Sequence, residues 1–196
     1  MKATRMVTLL ALLAATAGAQ VRNSDTLPPQ IAALVPQGMK LTSHSFAGAS
    51  TMAAADFSAE KNRPGGNTLT SITYTFSLHA FDANSPIWKM REPIYRAEME
   101  KKIADRRNST GPAMSKADSP TETKHGWGSG LSQRVVVHPP NSKETVYYMC
   151  SYFGMIGGVT FDLTANGMAE GCGAADQWAA SVASAAAKIS VSNIGS

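Results

Sequence analysis

Charged side chains are scarce in this sequence of 196 residues. Asp, Glu, Lys and Arg make up 16% of it, and 18 basic against 14 acidic residues give a net charge of +4. Soluble domains typically carry about 25% charged residues. Because nucleic-acid-binding domains concentrate basic residues on one face, this small and mixed charge argues against a nucleic-acid partner.

Long apolar runs are also missing, since no segment reaches the roughly 20 residues that a membrane-spanning helix needs. Residues 1–19 nevertheless follow the pattern of a secretory signal peptide. They have a basic start with Lys2 and Arg5, an apolar stretch over 6–13, and a small-residue end, Ala17-Gly18-Ala19, that fits a cleavage site. We therefore predict a secreted or periplasmic protein that has a net charge of +2 after cleavage and no stable membrane insertion.

The sequence contains only two cysteines, Cys150 and Cys172. Two cysteines without C-x-x-C spacing make a poor metal site, whereas an exported chain meets an oxidising environment in which cysteines pair. We predict a disulfide between them. The closed loop of about 23 residues corresponds to a stabilisation of about 3 kcal/mol in the chain-entropy description.

Recognisable catalytic and metal-binding motifs are absent. The four histidines, His44, His79, His125 and His138, show no H-x-H or H-E-x-x-H spacing, and no G-x-S-x-G or phosphate-binding loop occurs. His79 falls on the polar side of a predicted strand and is expected to face solvent. We predict no catalytic residue, no cofactor and no metal site. A hydrolase with an unrecognised site that uses His125 or His138 remains an alternative.

The clearest structural pattern is a strand with period two. Ile72, Tyr74, Phe76 and Leu78 alternate with polar residues, which is typical of a half-buried strand. A similar alternation over 51–61 precedes the turn-forming segment 62–67, so the two runs predict a hairpin. Further strands are expected at 133–137, 145–153 and 159–163.

Helical patterns separate these strands. Ser85-Pro86 is typical of a helix start, and the apolar stripe Tyr95, Met99 and Ile103 predicts a helix as far as about Arg107, with a charged, solvated outer face. Pro93 is expected to kink this helix or restart it. A short helix over 30–35 and a final helix capped by Asp176 complete the pattern.

The order of elements predicts an α+β fold: a mainly antiparallel sheet of about five or six strands with helices packed on one face. We expect a single domain over residues 20–196. Within it, the polar segment 108–124, which contains glycine and two prolines, is predicted to be a loop.

Three aromatic residues are candidate binding residues. Trp127 lies in the glycine-rich segment 126–130 and would be either an exposed anchor for a partner or a side chain folded onto the edge of the core. Tyr147 and Phe153 lie on one strand, where they would contribute either to an exposed aromatic surface or to a face covered by helices.

These features lead to three hypotheses for function. The first is an exported, non-catalytic protein that binds a macromolecular partner, most simply a protein, as inhibitor or immunity-type proteins do. The second is a carrier of a small ligand or lipid, with an apolar cleft between helix and sheet. The third is the hydrolase with an unrecognised site.

Overall fold

The computed structural model describes residues 22–24, 26–62, 71–110, 115–138 and 144–194. The predicted signal peptide lies outside these residues. Within them the chain forms nine strands: β1 Arg22–Ser24, β2 Lys40–Gly48, β3 Met52–Lys61, β4 Ile72–Phe81, β5 Ser115–Ala117, β6 Thr121–His125, β7 Gly128–Val137, β8 Thr145–Ile156 and β9 Val159–Met168. It also forms four helices: α1 Pro29–Ala32, α2 Pro86–Arg107, α3 Gly173–Ala186 and α4 Val191–Ile194.

All strands belong to one antiparallel sheet with the order β1-β2-β3-β4-β9-β8-β7. At its far edge, β5 and β6 pair with different halves of β7 and together fill one strand position. The sheet therefore consists of two meanders, β1 to β4 and β7 to β9, that join where β9 pairs with β4. The predicted hairpin is confirmed, since β3 and β4 pair from Met52 with Phe81 to Lys61 with Ile72.

One face of the sheet is covered by α1, α3 and α4. The alternating apolar residues of β3, β4 and β9 point to this side, where Phe57 stacks on Phe76 with ring centroids 4.6 Å apart. Trp178 of α3 packs edge-on against Tyr74, and its indole nitrogen donates a hydrogen bond of 2.8 Å to the carbonyl of Leu34. This layer is the main hydrophobic core.

The opposite face is covered in part by α2, so the expectation that helices pack on one face only is wrong. Ser85 caps α2 as predicted, because its hydroxyl accepts a hydrogen bond from the amide of Trp88. Trp88 and Tyr95 then pack against Phe81, which points away from the main core. A second, smaller apolar cluster therefore holds the first half of α2 to the sheet.

Polar contacts hold the second half of α2. Lys102 forms an ion pair with Asp162 of β9, and the guanidinium of Arg106 donates a hydrogen bond of 3.1 Å to the hydroxyl of Ser151 in β8. The helix runs through Pro93 as one element instead of restarting there. Since polar residues make these contacts, hydrophobic periodicity alone does not predict a second covered face.

The predicted loop over 108–124 is only partly a loop, because it contains β5 and most of β6. These strands lie at the edge of the sheet and pair on one side only, so they lack the apolar alternation that identifies inner strands. This added edge, together with the short β1 at the other side, makes the sheet larger than the five or six strands expected.

Candidate functional site

The predicted disulfide joins β8 to the start of α3. Cys150 is fully buried in the main core, and its Cα lies 5.8 Å from that of Cys172. Cys172, not Asp176, occupies the position before the first helical residue. The Asp176 carboxylate lies one turn further on, where it accepts a hydrogen bond of 2.7 Å from the hydroxyl of buried Tyr152. This disulfide is compatible with a protein that functions in an oxidising compartment.

Trp127 lies in the tight turn between β6 and β7. Its ring is half-buried, stacks on His125 at 4.5 Å with the ring planes nearly parallel, and contacts Phe161 of the main core at 5.5 Å. Gly128 follows with a φ of 154°, and a Cβ there would lie only 2.0 Å from the carbonyl oxygen of Phe153. The close contact with β8 requires glycine at this position and holds the turn that carries Trp127 against that strand.

Next to this turn lies an open cleft with a volume of about 450 Å³, which we call the Trp127 cleft. It is bounded by α2, the β6–β7 turn and the β8–β9 turn. Its large side chains are the aromatic rings of Trp88 and Trp127, the thioethers of Met99 and Met155, and the ion pair of Glu92 with Arg96. The guanidinium of Arg96 lies 2.9 Å from the carboxylate of Glu92. The cleft thus combines aromatic and thioether side chains with a pair of opposite charges, as the mixed surfaces of protein interfaces do.

A second, smaller cavity of about 70 Å³, the His79 cavity, lies beneath α2. Met99 and Met155 line both this cavity and the Trp127 cleft. Its polar lining comes from His79 and Asp162 on the sheet and from Tyr95, Glu98 and Lys102 on α2. His79 was expected to face solvent but lies under α2, with its ring centroid 6.1 Å from that of Tyr95.

Burial changes the proton affinity of two side chains in this cavity. Burial under α2 holds the pKa of His79 below its usual value, although the carboxylates of Asp56, Asp162 and Glu98 act in the opposite direction. Burial also raises the pKa of Tyr95. Titratable groups with shifted pKa values in a cavity often mark a functional site. Here burial is the main cause of both shifts, so the packing of α2 over the imidazole explains its neutral form.

Of the three candidate binding residues, two lie close together. Phe153 is half-buried on β8, two residues before Met155, whose amide donates a hydrogen bond to the carbonyl of Trp127. Tyr147 lies six residues before Phe153 on the same strand, which places it about 20 Å away, opposite Val135 of β7. Trp127 and Phe153 therefore belong to one end of the sheet, and Tyr147 to the other.

The C-terminal end of α2 is anchored by a network of polar side chains. Arg107 forms an ion pair with Glu122 of β6, and the hydroxyl of buried Ser129 donates a hydrogen bond of 2.8 Å to the same carboxylate. These two donors hold the pKa of Glu122 below its usual value. The amide of buried Gln133 bonds to the carbonyls of Ser109 and Asp118. The network fixes α2 to the far edge of the sheet.

His125 and His138, either of which the hydrolase alternative could use, lie at opposite ends of β7. His125 ends β6, and His138 follows β7, so the length of β7 lies between them and separates them by roughly 30 Å. His138 instead lies 3.7 Å from Glu144. In the part of the chain that the structure describes, no group of three or more His, Cys, Asp or Glu residues could hold a metal ion. Likewise, none of the described helices is long and apolar enough to cross a membrane.

Several residues of the Trp127 cleft were not identified from sequence. Met99 belonged to the predicted apolar stripe of the helix, so it had a signal, but for packing on the sheet. Trp88, Met155 and Arg96 were not singled out as cleft residues, because their position depends on α2 lying across the sheet. No protein-family model, no curated protein and no solved structure matches this chain.

Proposed function

We propose that this chain is an exported, non-catalytic binding protein that engages a protein partner at the Trp127 cleft. The observation that carries the proposal is the position of Trp127. It lies in a tight glycine turn, is held from behind by His125 and Phe161, and lines an open cleft. Trp is among the residues that contribute most to protein interfaces, and a ring held in place before binding loses little entropy on contact.

The other side chains of the cleft support the same partner class. Met99 and Met155 are flexible and polarisable, so they adapt to the shape of an inserted apolar side chain. Glu92 and Arg96 at the rim offer both signs of charge to the polar groups of a polypeptide. The cleft is open rather than enclosed, which suits a side chain or loop of a larger molecule better than a free small ligand. The predicted signal peptide and the disulfide support an exported location.

Site-specific photocrosslinking tests this proposal directly. A Cβ at Gly126 would meet nothing within 4 Å, so benzoylphenylalanine at this position fits beside the cleft. Gly173, at the start of α3 on the opposite side of the sheet, has equally open space and is the matched control. In host cells, we expect a discrete crosslinked protein from position 126 and none from position 173. The same adduct from both positions, or no adduct from either, contradicts the proposal.

A Trp127→Ala change in the position-126 crosslinker then tests the anchor. Interface tryptophans typically contribute 2 kcal/mol or more, so the adduct should fall by at least about tenfold. The control is Gln177→Ala, a change at an exposed residue of α3, which should leave the adduct unchanged. Thermal unfolding of both variants separates lost binding from lost folding. An undiminished adduct with Trp127→Ala removes Trp127 from the contact.

A carrier of a small apolar ligand is a second candidate, favoured by the two cavities that meet at Met99 and Met155. Movement of these two flexible side chains would join the cleft to the His79 cavity beneath α2. Native mass spectrometry of protein purified from its host tests this candidate. A bound small molecule that is lost in Met155→Trp, which fills the junction, supports a carrier, and a ligand-free mass for the wild-type protein argues against one.

A further inference from the structure

The solvent-facing side of α2 is more apolar than the charged outer face expected for this helix. Met90 is 65% exposed and Ile94 is 46% exposed, and they are two of the three exposed large hydrophobic residues among those described. With Ala97, Lys101 and Ala104 they recur at i, i+4, i+7, i+11 and i+14, and all five are exposed. This spacing places them on one side of a helix. We call this stripe the α2 ridge.

The ridge lies on the side of α2 opposite to the sheet contacts of Trp88, Ile103 and Arg106, so it contributes nothing to the packing of its own chain. A helix that is apolar on two sides normally has a partner on each. The Trp127 cleft lies between α2 and the sheet and meets the flank of the ridge at its rim residues Glu92 and Arg96. The exposed apolar side chains of the ridge lie outside the cleft, so their occupant is a separate question from the proposed function.

The charged side chains beside the ridge indicate which kind of partner it can bind. Arg96, Lys102 and Arg107 have carboxylate partners within their own chain. The other charged side chains next to the ridge are three cations and three anions: Lys89, Arg91, Lys101, Glu98, Glu100 and Asp105. This balance gives no preference for an anionic lipid surface, which attracts clustered basic residues. It suits a surface that also carries both signs of charge.

We infer that this occupant is a second copy of the chain, bound through an antiparallel pair of α2 helices. In such a pair a two-fold axis brings the same flank of each helix together. If the two-fold axis passes beside Glu98, Arg91 of one copy lies at the same height along the helix pair as Asp105 of the other. The reason is that each of them is seven residues from Glu98. On the other flank, Arg96 is level with Glu100, because both lie two residues from it. One axis therefore matches both pairs and produces four opposite-charge contacts, in two of which Arg96 bridges Glu92 of its own chain and Glu100 of the other copy.

The same axis gives a suitable fit along the ridge. Ile94 lies within one residue of the level of Lys101 of the second copy, the two Ala97 residues each lie one residue from the axis, and Met90 lies two residues, about 3 Å, from the level of the small Ala104. Large side chains thus face small ones, which lets the helices approach closely. Three like-charge contacts oppose the pairing, one at the axis and two related to each other by it. Glu98 meets its own copy, and Lys89 is level with Arg107, although Arg107 is already bonded to Glu122.

The contact extends from Met90 to Ala104, a distance of about 21 Å at 1.5 Å per residue. One pair of helices of this length buries less than the roughly 800 Å² per partner of a standard interface. The dimer is therefore weak, with a dissociation constant in the micromolar range, and forms and separates reversibly. Sedimentation equilibrium over about 2 to 300 µM protein measures this directly, and a wild-type protein that stays monomeric throughout overturns the inference.

A charge exchange identifies the antiparallel arrangement. Arg91→Asp and Asp105→Arg each place like charges opposite each other, so each should raise the dissociation constant at least tenfold. The double variant restores opposite charges and should return to within about threefold of wild type. Arg91 and Asp105 lie four turns apart on their own helix and cannot pair within one chain. Rescue by the double variant therefore supports the second copy, and its failure contradicts this arrangement.

Two further variants have opposite expected effects. Glu98→Gln removes the repulsion at the axis and should tighten the dimer severalfold, whereas Met90→Glu inserts a charge into the ridge and should weaken it at least tenfold. Both residues are exposed, so folding is preserved. A monomeric protein whose ridge instead binds vesicles of phosphatidylglycerol, with loss of binding in Met90→Glu, would overturn the inference and assign the ridge to a membrane surface.

Discussion

Gly154 illustrates how single residues set the packing of this sheet. It lies on β8 directly opposite Phe161 of β9, and the Phe161 ring crosses the position that a side chain would occupy. A Cβ at Gly154 would lie 2.1 to 2.7 Å from three ring carbons. Phe161 is almost fully buried and also contacts Trp127, so the ring has no free space to move into.

We therefore expect Gly154→Ala to destabilise the protein by about 2 kcal/mol, the usual cost of adding a methyl group to a filled core. Urea unfolding followed by circular dichroism measures the change. Gly173→Ala is the matched control, because a Cβ at Gly173 meets nothing within 4 Å and alanine favours the first turn of α3. Equal stability of the two variants would show that the Phe161 ring is not confined.

Some residues were predicted in the right structural role and others were not. The alternation of Tyr74, Phe76 and Leu78 assigned these side chains to the core, because a strand has only two faces and apolar residues mark the buried one. His79 follows the same period on the polar side, yet it lies under α2. A polar side chain gives no sign of which element covers it, so its surroundings depend on the tertiary fold.

At the scale of elements, strands that pair on both sides could be predicted from the sequence, whereas strands at the edge of the sheet could not. Inner strands β3, β4 and β9 pair on both sides and repeat their apolar residues at every second position, so their locations were predicted. Edge strands β5 and β6 pair only with β7 and consist mostly of polar residues. The start of α2 was predicted from Ser85, but its place on the sheet depends on Arg106 and Lys102, which look like ordinary surface residues in the sequence.

The disulfide provides a test at this scale, because it links one strand of the sheet, β8, covalently to the start of a helix, α3. A loop of this length corresponds to about 3 kcal/mol of stabilisation. We expect the double variant Cys150→Ala, Cys172→Ala to lose roughly this amount in urea unfolding. Reduction of the wild-type protein by dithiothreitol should have a similar effect, while the double variant should not respond to it. A reductant effect on the double variant would point to another cause.

At the scale of the whole molecule, α2 spans the place where the two meanders are joined. It follows β4 and leads to β5 at the far edge, so it crosses β9, β8 and β7 on the way. Its contacts include Phe81 at one end and Glu122 at the other. Because α2 contacts strands of both meanders, the protonation of a side chain beneath it should affect the stability of both.

His79 lies beneath α2, and its protonation differs between the folded and the unfolded chain at mildly acidic pH. Burial lowers its pKa in the folded protein, against the effects of Asp56, Asp162 and Glu98, while Lys102 adds to the lowering. Between this lowered pKa and the unfolded value of about 6.5, the unfolded chain binds more protons than the folded one. Stability should therefore fall as pH decreases below about 6.5, by at most about 1.4 kcal/mol per pH unit from this group.

Urea unfolding at pH 7.5, 6.5, 5.5 and 5.0 measures this dependence. His79→Gln retains a polar side chain but does not titrate, so its stability should decrease less than that of the wild-type protein over this range. Gln177→Ala changes an exposed side chain of α3 that does not titrate and should follow the wild-type curve. Because Asp56, Asp162 and Glu98 are present in every variant, the difference between the two curves isolates His79. Parallel curves for wild type and His79→Gln would mean that α2 does not hold His79 in its neutral form.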